Sequence, residues 1–119
     1  MKIHISLQNT SFPLMEDEVK YIKVIADFLE DNQQEEFDFP LDDMRDIDST
    51  LIEDVLAIFR ANDIVNEIRK YQPARMCKIM TIANFLGMDH PERNMIQAIA
   101  KEIANLIRGK TPEEIRALF

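Results

Sequence analysis

The chain has 119 residues, of which 46% are hydrophobic and 30% are charged, a composition typical of one globular domain with a single core. Its formal net charge of −8 argues against binding to a phosphate backbone, which needs a basic face, and against attraction to anionic lipid. No apolar run approaches the ~18 residues of a membrane span. The one cysteine cannot form an internal disulfide, which suits a reducing compartment. We therefore expect a soluble intracellular domain whose partners are proteins, with no nucleic acid and no membrane among them.

Alternating apolar and polar residues predict three strands in the N-terminal half. KIHISLQ alternates from its first residue, and FPLM resumes the alternation after the turn residues NTS, which indicates a hairpin. Pro13 cannot donate a ladder hydrogen bond, so we expect the second strand at an edge of the sheet. FDFPLD predicts the third strand. The residues expected on the core faces of these strands are Ile3, Ile5, Leu7, Phe12, Leu14, Phe37, Phe39 and Leu41.

Between the second and third strands, EDEVKYIKVIADFLED predicts one helix over residues 16–31, with acidic residues in its first turn where the helix dipole favours them. Two apolar sets indicate that this helix is covered on more than one side. The main set is Val19, Ile22, Ile25, Ala26 and Leu29, and the second set is Tyr21, Val24 and Phe28.

Helical periodicity dominates the remainder of the chain. DIDSTLIEDVLAIFRAN predicts a helix with a capping box at Thr50 and Glu53 and an inner stripe that ends in Phe59, and DIVNEIRKYQ predicts a short helical piece. PARMCKIMTIANFLG begins with a proline suited to a first helical position and ends at Gly87, a typical C-terminal stop. NMIQAIAKEIANLIRG follows, with Asp89 as a candidate cap and Gly109 as its end.

TPEEIRALF predicts a last short helix, with Thr111 as N-cap, Pro112 at the first position and Glu114 completing a capping box. Ile115, Leu118 and Phe119 form its apolar stripe. An isolated helix of this length is marginal in water. We therefore expect the stripe to pack on the rest of its own domain, to be offered to a partner, or to do both with its two sides.

Catalytic and metal-binding constellations are not evident. His4, His90 and Cys77 have no neighbours at ligand spacing, and DDMRDID lacks the glycine and the closing glutamate of an EF-hand loop. Both glycines are placed to end helices rather than to bind phosphate. Most of the phenylalanines, Phe28 and Phe39 among them, are expected in the core. We expect no metal, no cofactor and no enzymatic activity. Two apolar residues of the PARMCKIMTIANFLG helix, Ile82 and Phe85, lie off its main stripe and are expected outside the core.

A resemblance to a known family rests on these C-terminal motifs. GKTPEEIR at residues 109–116, followed by a final Phe, resembles the signature of the Skp-type adaptors of SCF (Skp–cullin–F-box) ubiquitin ligases, and IANFLG at residues 82–87 is similar to the family's AANYLD motif. The close match runs from residue 79 to residue 119. The β-β-α-β order followed by helices is that of the BTB/POZ fold, which these adaptors share with elongin C. The resemblance implies one α+β, BTB/POZ-like domain over residues 1–119, with a body at 1–72 and a helical binding part at 73–119.

The resemblance also implies a function without chemistry. The family links an F-box substrate receptor to the N-terminal domain of a cullin, in the cytoplasm and nucleus, for ubiquitin-dependent protein degradation, and weak homodimers are compatible with it. The positions that match the family's cullin contacts are Asn84 and Phe85. The positions that match its F-box contacts are Ala100, Ile103, Ile107, Arg108, Thr111, Pro112, Ile115 and Phe119. For Ile103 and Ile107, a place in the core is an equally good interpretation.

The chain departs from the family pattern in the cullin motif, where Phe85 stands for tyrosine and Gly87 for aspartate, and the family pattern continues past the final Phe into further helices. Three alternative functions remain open at this stage. One is an elongin-C-like adaptor for another class of receptor. Another is a structural, kinetochore-type subunit that binds an F-box protein without a cullin. The third is an unrelated small enzyme.

Overall fold

A three-stranded sheet is followed by a series of helices in the computed structural model, which describes residues 2–32 and 35–119. The elements in chain order are β1 (Lys2–Leu7), β2 (Thr10–Leu14), a 3-10 helix (Glu16–Tyr21), α1 (Lys23–Asp31), β3 (Glu36–Pro40), α2 (Ser49–Arg60), α3 (Ile64–Ile68), α4 (Pro73–Leu86), α5 (Met95–Ile107) and α6 (Pro112–Leu118). This mixed α+β arrangement, with its small sheet and several helices, is consistent with a BTB-like fold and confirms the predicted fold class.

The sheet has the order β2-β1-β3, with β1 antiparallel to β2 and parallel to β3. The predicted hairpin is therefore confirmed, and Pro13 lies on an edge strand as expected. Since parallel strands cannot be joined by a tight turn, the 3-10 helix and α1 form the crossover from the hairpin to β3. Ile3, Ile5 and Leu7 are buried on the inner face of the central strand, as their alternation predicts.

The helix predicted over residues 16–31 is two helices. Ile22 interrupts it with a non-helical backbone (φ −116°, ψ 88°), and its N–H donates to the Val19 carbonyl to close the 3-10 turn. The next amide, Lys23 N–H, donates to the Gly87 carbonyl at the end of α4, 3.2 Å away. The first amide of α1 thus donates a tertiary hydrogen bond, which the periodicity of apolar residues along the chain cannot predict. A second correction concerns Phe28, which is 45% exposed although its helical spacing placed it in the core.

Two of the predicted helix caps are wrong. Asp48 caps α2, accepting the Leu51 N–H at 2.9 Å, whereas the sequence predicted a capping box at Thr50 and Glu53. The Thr50 hydroxyl donates to the same Asp48 carboxylate at 2.6 Å, and these two hydrogen bonds hold the pKa of Asp48 below its ordinary value. At α5, Asn94 rather than Asp89 supplies the cap. Asp48 precedes the predicted cap Thr50, whereas Asn94 follows the predicted cap Asp89. In both cases an Asp or Asn side chain accepts a backbone N–H of the first helical turn.

The hydrophobic core forms one cluster to which the sheet and the helices α1 to α5 all contribute. α4 lies within it and contacts α1, α2 and α5. Ile79, Ile82 and Ala83 of this helix are fully buried. The expectation that Ile82 lies outside the core is therefore wrong, because neighbouring elements cover α4 on more sides than its main apolar stripe indicates.

An ion pair joins the hairpin, the 3-10 helix and α2. Arg60 Nε and Nη2 donate to the two carboxylate oxygens of Glu18 at 2.8 and 3.1 Å, and Nη2 also donates to the Pro13 carbonyl at 2.9 Å. Glu18 also accepts the Met15 N–H at 2.8 Å. Burial alone would raise the pKa of Glu18, but the hydrogen bonds from Arg60 and Met15 outweigh it and hold that pKa below its ordinary value of 4.5.

We predict that Glu18→Gln lowers the free energy of unfolding at neutral pH by about 1 kcal/mol, because a charge-assisted hydrogen-bonded pair is lost. The lowered pKa means that ionised Glu18 stabilises the fold above its unfolded-state pKa, and that this contribution disappears as the pH falls through the folded-state value. Urea denaturation at about pH 7 and about pH 3 should show a larger difference between wild type and variant at the higher pH.

Glu53→Gln, an exposed carboxylate on α2, is the matched control and should leave stability unchanged at both pH values. A Glu18→Gln defect of equal size at both pH values would contradict the assigned role of the ionised carboxylate.

Candidate protein-interaction surfaces

The end of α4 is a glycine turn that fixes the position of the predicted cullin-contact residues. Gly87 adopts a left-handed conformation (φ 70°), Met88 N–H donates to the Ala83 carbonyl at 3.0 Å, and Gly87 N–H donates to the Asn84 carbonyl at 3.2 Å. This pair of bonds is a Schellman turn. The helix therefore ends after Leu86, as the glycine predicts.

Asn84 and Phe85 lie side by side on the surface at this end of α4. Their neighbours Ala83 and Leu86 are buried in the core, so the two intervening side chains face outward. The Phe85 ring is 48% exposed, which agrees with its predicted place off the core stripe. No partner is present in the structure, and the contact of these residues with a cullin stays a prediction.

Phe85 is the last member of a row of four aromatic rings, which we call the aromatic row. Its ring centroid lies 6.2 Å from Phe39, Phe39 lies 6.4 Å from Phe37, and Phe37 lies 4.8 Å from Phe28. The row crosses from α4 over β3 to α1. Phe37 is buried, whereas Phe28 is nearly half exposed and Phe39 is partly exposed. Sequence reasoning assigned Phe28 and Phe39 to the core. The signal in the sequence that could have indicated the exposure of Phe28 was its place in the second apolar set of its helix.

The predicted F-box contacts lie on α5, on the turn that follows it and on α6. α5 is anchored in the core by Met95 and Ile99, and Arg69, directly after α3, donates to Glu102 at 3.3 Å. Beyond that point burial decreases, and Ile103 packs against the core while only half-buried. Of the remaining candidates on α5 and at its end, Ile107 is half-buried, and Ala100 and Arg108 are exposed.

The turn into α6 has the predicted geometry. The Thr111 hydroxyl accepts the Glu114 N–H, and the Glu114 carboxylate accepts the Thr111 N–H, both at 3.2 Å, with Pro112 in the first turn. The backbone and side-chain hydrogen bonds with Thr111 hold the pKa of Glu114 below its ordinary value. Thr111 and Pro112, both exposed, therefore have a local structural role whether or not they contact a partner.

α6 buries none of its side chains in the structure. Ile115 and Leu118 are half-buried, and Phe119 is 47% exposed. The stripe is therefore not buried in its own domain as a whole, and two of the expectations remain: that it is offered to a partner, or that its two sides do both. The structure places all eight F-box candidates on one continuous stretch of α5, turn and α6, separate in sequence from the cullin candidates on α4.

The polar cluster of His4, Ser6 and Asp38 does not have the arrangement of a nucleophile and its base. Asp38 on β3 accepts the Ser6 hydroxyl at 3.0 Å and lies 3.3 Å from His4 Nε2. The serine and the histidine thus both contact the aspartate, whereas a nucleophile and its base would contact each other. Across residues 2–32 and 35–119, no cluster of three His, Cys, Asp or Glu side chains is placed to hold a metal ion. None of the helices in this part of the chain has the length and apolar character required to span a bilayer.

A surface depression of about 360 Å³ lies beside Tyr21, between Arg60 and Arg93. Arg60 is held by Glu18, and Arg93 donates to the Phe59 and Ala61 carbonyls at 3.2 and 3.3 Å. Both guanidinium groups therefore join elements of the fold instead of pointing together toward a ligand. Arg93 caps the C-terminal end of α2, where a cation is favoured.

Comparison with protein-family models assigns the C-terminal segment. Residues 93–119 match the model described as Skp1 family, dimerisation domain. The match contains all eight predicted F-box contacts and excludes Asn84 and Phe85. No curated protein matches the chain. The family match confirms the resemblance found in the C-terminal motifs: this segment of the chain is similar to the Skp1 family, a family of non-catalytic adaptors, and supports a Skp1-type adaptor.

The two glycines provide a matched test of the turn that positions Phe85. A Cβ on Gly87 would lie 2.8 Å from the Lys23 Cβ, whereas a Cβ on Gly109 would meet nothing within 4 Å, although both residues have positive φ. We predict that Gly109→Ala destabilises the protein by about 1 kcal/mol, from backbone strain alone. Gly87→Ala should cost about 2–3 kcal/mol, because α1 and α4 must also separate.

Urea denaturation of both variants measures this difference. Equal losses of stability would show that the approach of α1 to the end of α4 does not constrain Gly87.

Proposed function

We propose that this chain is the adaptor subunit of an SCF-type E3 ubiquitin ligase, in which it joins an F-box substrate receptor to a cullin. In this proposal residues 1–72 form the BTB-like body and residues 73–119 form the helical binding part. The complex would act in ubiquitin-dependent protein degradation in the cytoplasm and nucleus. The chain contributes binding energy and geometry, and the chemistry belongs to other subunits.

The observation that carries the proposal is the coincidence of the family match with uncovered apolar surface. The matched segment, residues 93–119, ends in a helix whose side chains are all at least partly exposed. A short helix with no fully buried side chain gains little stability from its own domain, and burial of one Phe or Leu side chain contributes ~1.5–3 kcal/mol. A partner that covers Ile115, Leu118 and Phe119 would supply that stabilisation. This supports a helical docking interface with few apolar anchors and a polar rim.

The second partner would bind at Asn84 and Phe85, where a large exposed ring offers an anchor. Phenylalanine in place of the family's tyrosine retains the ring and removes a hydroxyl whose hydrogen bond would contribute about 1 kcal/mol. Gly87 in place of aspartate is explained locally by its left-handed backbone and by the close approach of Lys23.

We predict that the two surfaces can be separated by single substitutions. Phe119→Ala should weaken binding of an isolated F-box peptide by roughly 5- to 150-fold, the range for loss of a buried aromatic anchor, and should leave binding of a cullin N-terminal domain unchanged. Phe85→Ala should have the opposite pattern. Isothermal titration calorimetry of the full chain with each partner measures both affinities.

Val65→Ala is the control, because Val65 is another exposed apolar side chain, 43% accessible, on α3 and outside both candidate surfaces. It should bind both partners as wild type does. Wild-type binding to neither partner would contradict the proposal. Binding to a receptor helix of the elongin C class in place of the F-box peptide would favour that class of adaptor instead.

A further inference from the structure

The two edges of the sheet differ in whether their outward backbone groups are engaged. On the edge strand β2, Pro13 has no N–H, and its carbonyl accepts the Arg60 Nη2 at 2.9 Å. Arg60 is held in this position by Glu18, so this edge resists pairing with a further strand. The other edge strand is β3, and within the described part of the chain its outer side has no such closure.

The hydrogen-bond ladder shows which backbone groups of β3 face outward. The two bonds that bound the parallel β1–β3 pairing are both 2.8 Å long, and they join Lys2 N–H to the Glu35 carbonyl and Leu41 N–H to the Ser6 carbonyl. The odd-numbered residues of this segment therefore bond to β1, and the even-numbered residues of β3 turn their backbone groups away from it. The even-numbered residues are Glu36, Asp38 and Pro40. No hydrogen bond from the described residues reaches their outward N–H and carbonyl groups.

The two faces of β3 differ in chemistry. Glu36 and Asp38 are exposed on the outer face, and the Asp38 side chain is 45% accessible although His4 lies 3.3 Å from it. Phe37 and Phe39 lie on the opposite, core-side face, where the first is buried and the second is half-buried. A strand added beside β3 would therefore meet carboxylates on one face and aromatic rings on the other.

The apolar surface on the core-side face of β3 is incompletely covered. Phe28 from α1 lies 4.8 Å from Phe37, and Phe85 from α4 lies 6.2 Å from Phe39, measured between ring centroids. Phe28 and Phe85 remain 45% and 48% exposed. The edge strand thus has both free backbone groups and accessible apolar surface, the two components of strand pairing.

We propose that the open edge of β3 binds an extended segment of a partner protein as a fourth strand of the sheet. This segment alternates apolar residues, on the side of the rings, with Lys or Arg, on the side of Glu36 and Asp38. Cross-strand neighbours share a face, and opposite charges that face each other there are favourable. The proposal goes beyond the adaptor function and does not depend on it, because the pairing uses the backbone of β3, outside both candidate surfaces.

A second copy of the chain fits this edge less well. Two-fold pairing of β3 with itself centred on Asp38 places two aspartates directly opposite each other, and pairing centred on Phe37 places Glu36 opposite Asp38 twice. Pairing centred on Phe39 leaves Asp38 opposite Pro40, which has no N–H to donate. The carboxylates therefore disfavour self-pairing and favour a basic strand from another protein.

Amide hydrogen exchange of the full chain, followed by NMR, tests whether the edge is open. The amides of Glu36 and Asp38 should exchange at least about tenfold faster than those of Phe37 and Phe39, which donate to β1. Equal protection of all four amides would show that another part of the chain covers this edge, and would overturn the inference.

The probe for binding is an eight-residue peptide with blocked ends that alternates valine and arginine. Its binding should slow exchange at Glu36 and Asp38 about tenfold. Two N-methylated forms, one methylated at the arginines and one at the valines, test backbone pairing, because only alternate residues of an added strand turn their N–H toward β3. One form should bind at least about tenfold more weakly, and the other as the unmodified peptide does. Equal affinities of the two forms, or no binding of the unmodified peptide, would overturn the inference.

Variants of Glu36 separate its charge from its backbone donor. Glu36→Gln keeps the N–H and should weaken peptide binding about threefold at low salt, the effect of one exposed ion pair. Glu36→Pro also removes the donor and should weaken binding about tenfold. Glu53→Gln, an exposed acid on α2, is the control and should bind as wild type.

Wild-type affinity of Glu36→Pro would contradict the inference, as would equally tight binding of a peptide that alternates valine and glutamate. No cullin or F-box segment enters these measurements, so their failure would leave the proposed adaptor function unaffected.

Discussion

The structure depends on the burial of α4 and on the way in which that helix ends. α4 contacts α1, α2 and α5, and Ile79, Ile82 and Ala83 are inaccessible to solvent. At its C-terminal end the Gly87 carbonyl accepts the Lys23 amide, the first of α1, at 3.2 Å. This bond requires the two backbones to approach so closely that a Cβ at position 87 would collide with the Lys23 side chain. Gly87 therefore ends α4, and its carbonyl holds the first amide of α1.

The position of the exposed aromatic ring follows from this packing. Since Ala83 and Leu86 occupy the inward positions of the last turn and Gly87 ends the helix, Phe85 has no inward direction available. It lies instead against Phe39 at the margin of the sheet, 6.2 Å between ring centroids. The exposure of a large apolar side chain is thus a consequence of a well-packed core, and it is fixed by a rigid element.

The C-terminal arm is exposed for a different reason. Arg93 holds the connection before α5 on the end of α2, and Met95 and Ile99 then fix the first half of α5 in the core. Leu106 is the last of the described apolar residues that pack against the core, and beyond it the capping box at Thr111 stabilises α6 locally without burying its side chains. One candidate surface is therefore preorganised by the core, while the other is a helix whose apolar stripe is free to be covered.

Local chemistry in the sequence determined much of this protein. Alternation gave the three strands, Pro13 marked an edge, the two glycines marked helix ends, and the capping box at Thr111 formed as predicted, because each of these features depends on residues adjacent in the chain. The family resemblance of the C-terminal segment was also readable, since it rests on a contiguous motif.

Tertiary structure alone decided the rest. After the break at Ile22, the Lys23 N–H donates to the carbonyl of Gly87, which lies far along the chain, and the burial of Ile82 needs neighbours on several sides of α4. The exposure of Phe28 and the meeting of the four rings of the aromatic row likewise depend on how α1, β3 and α4 are placed. Periodicity reports which side of an element is apolar. Whether another element covers that side is a property of the assembled fold, because burial is settled by all of the packed neighbours together.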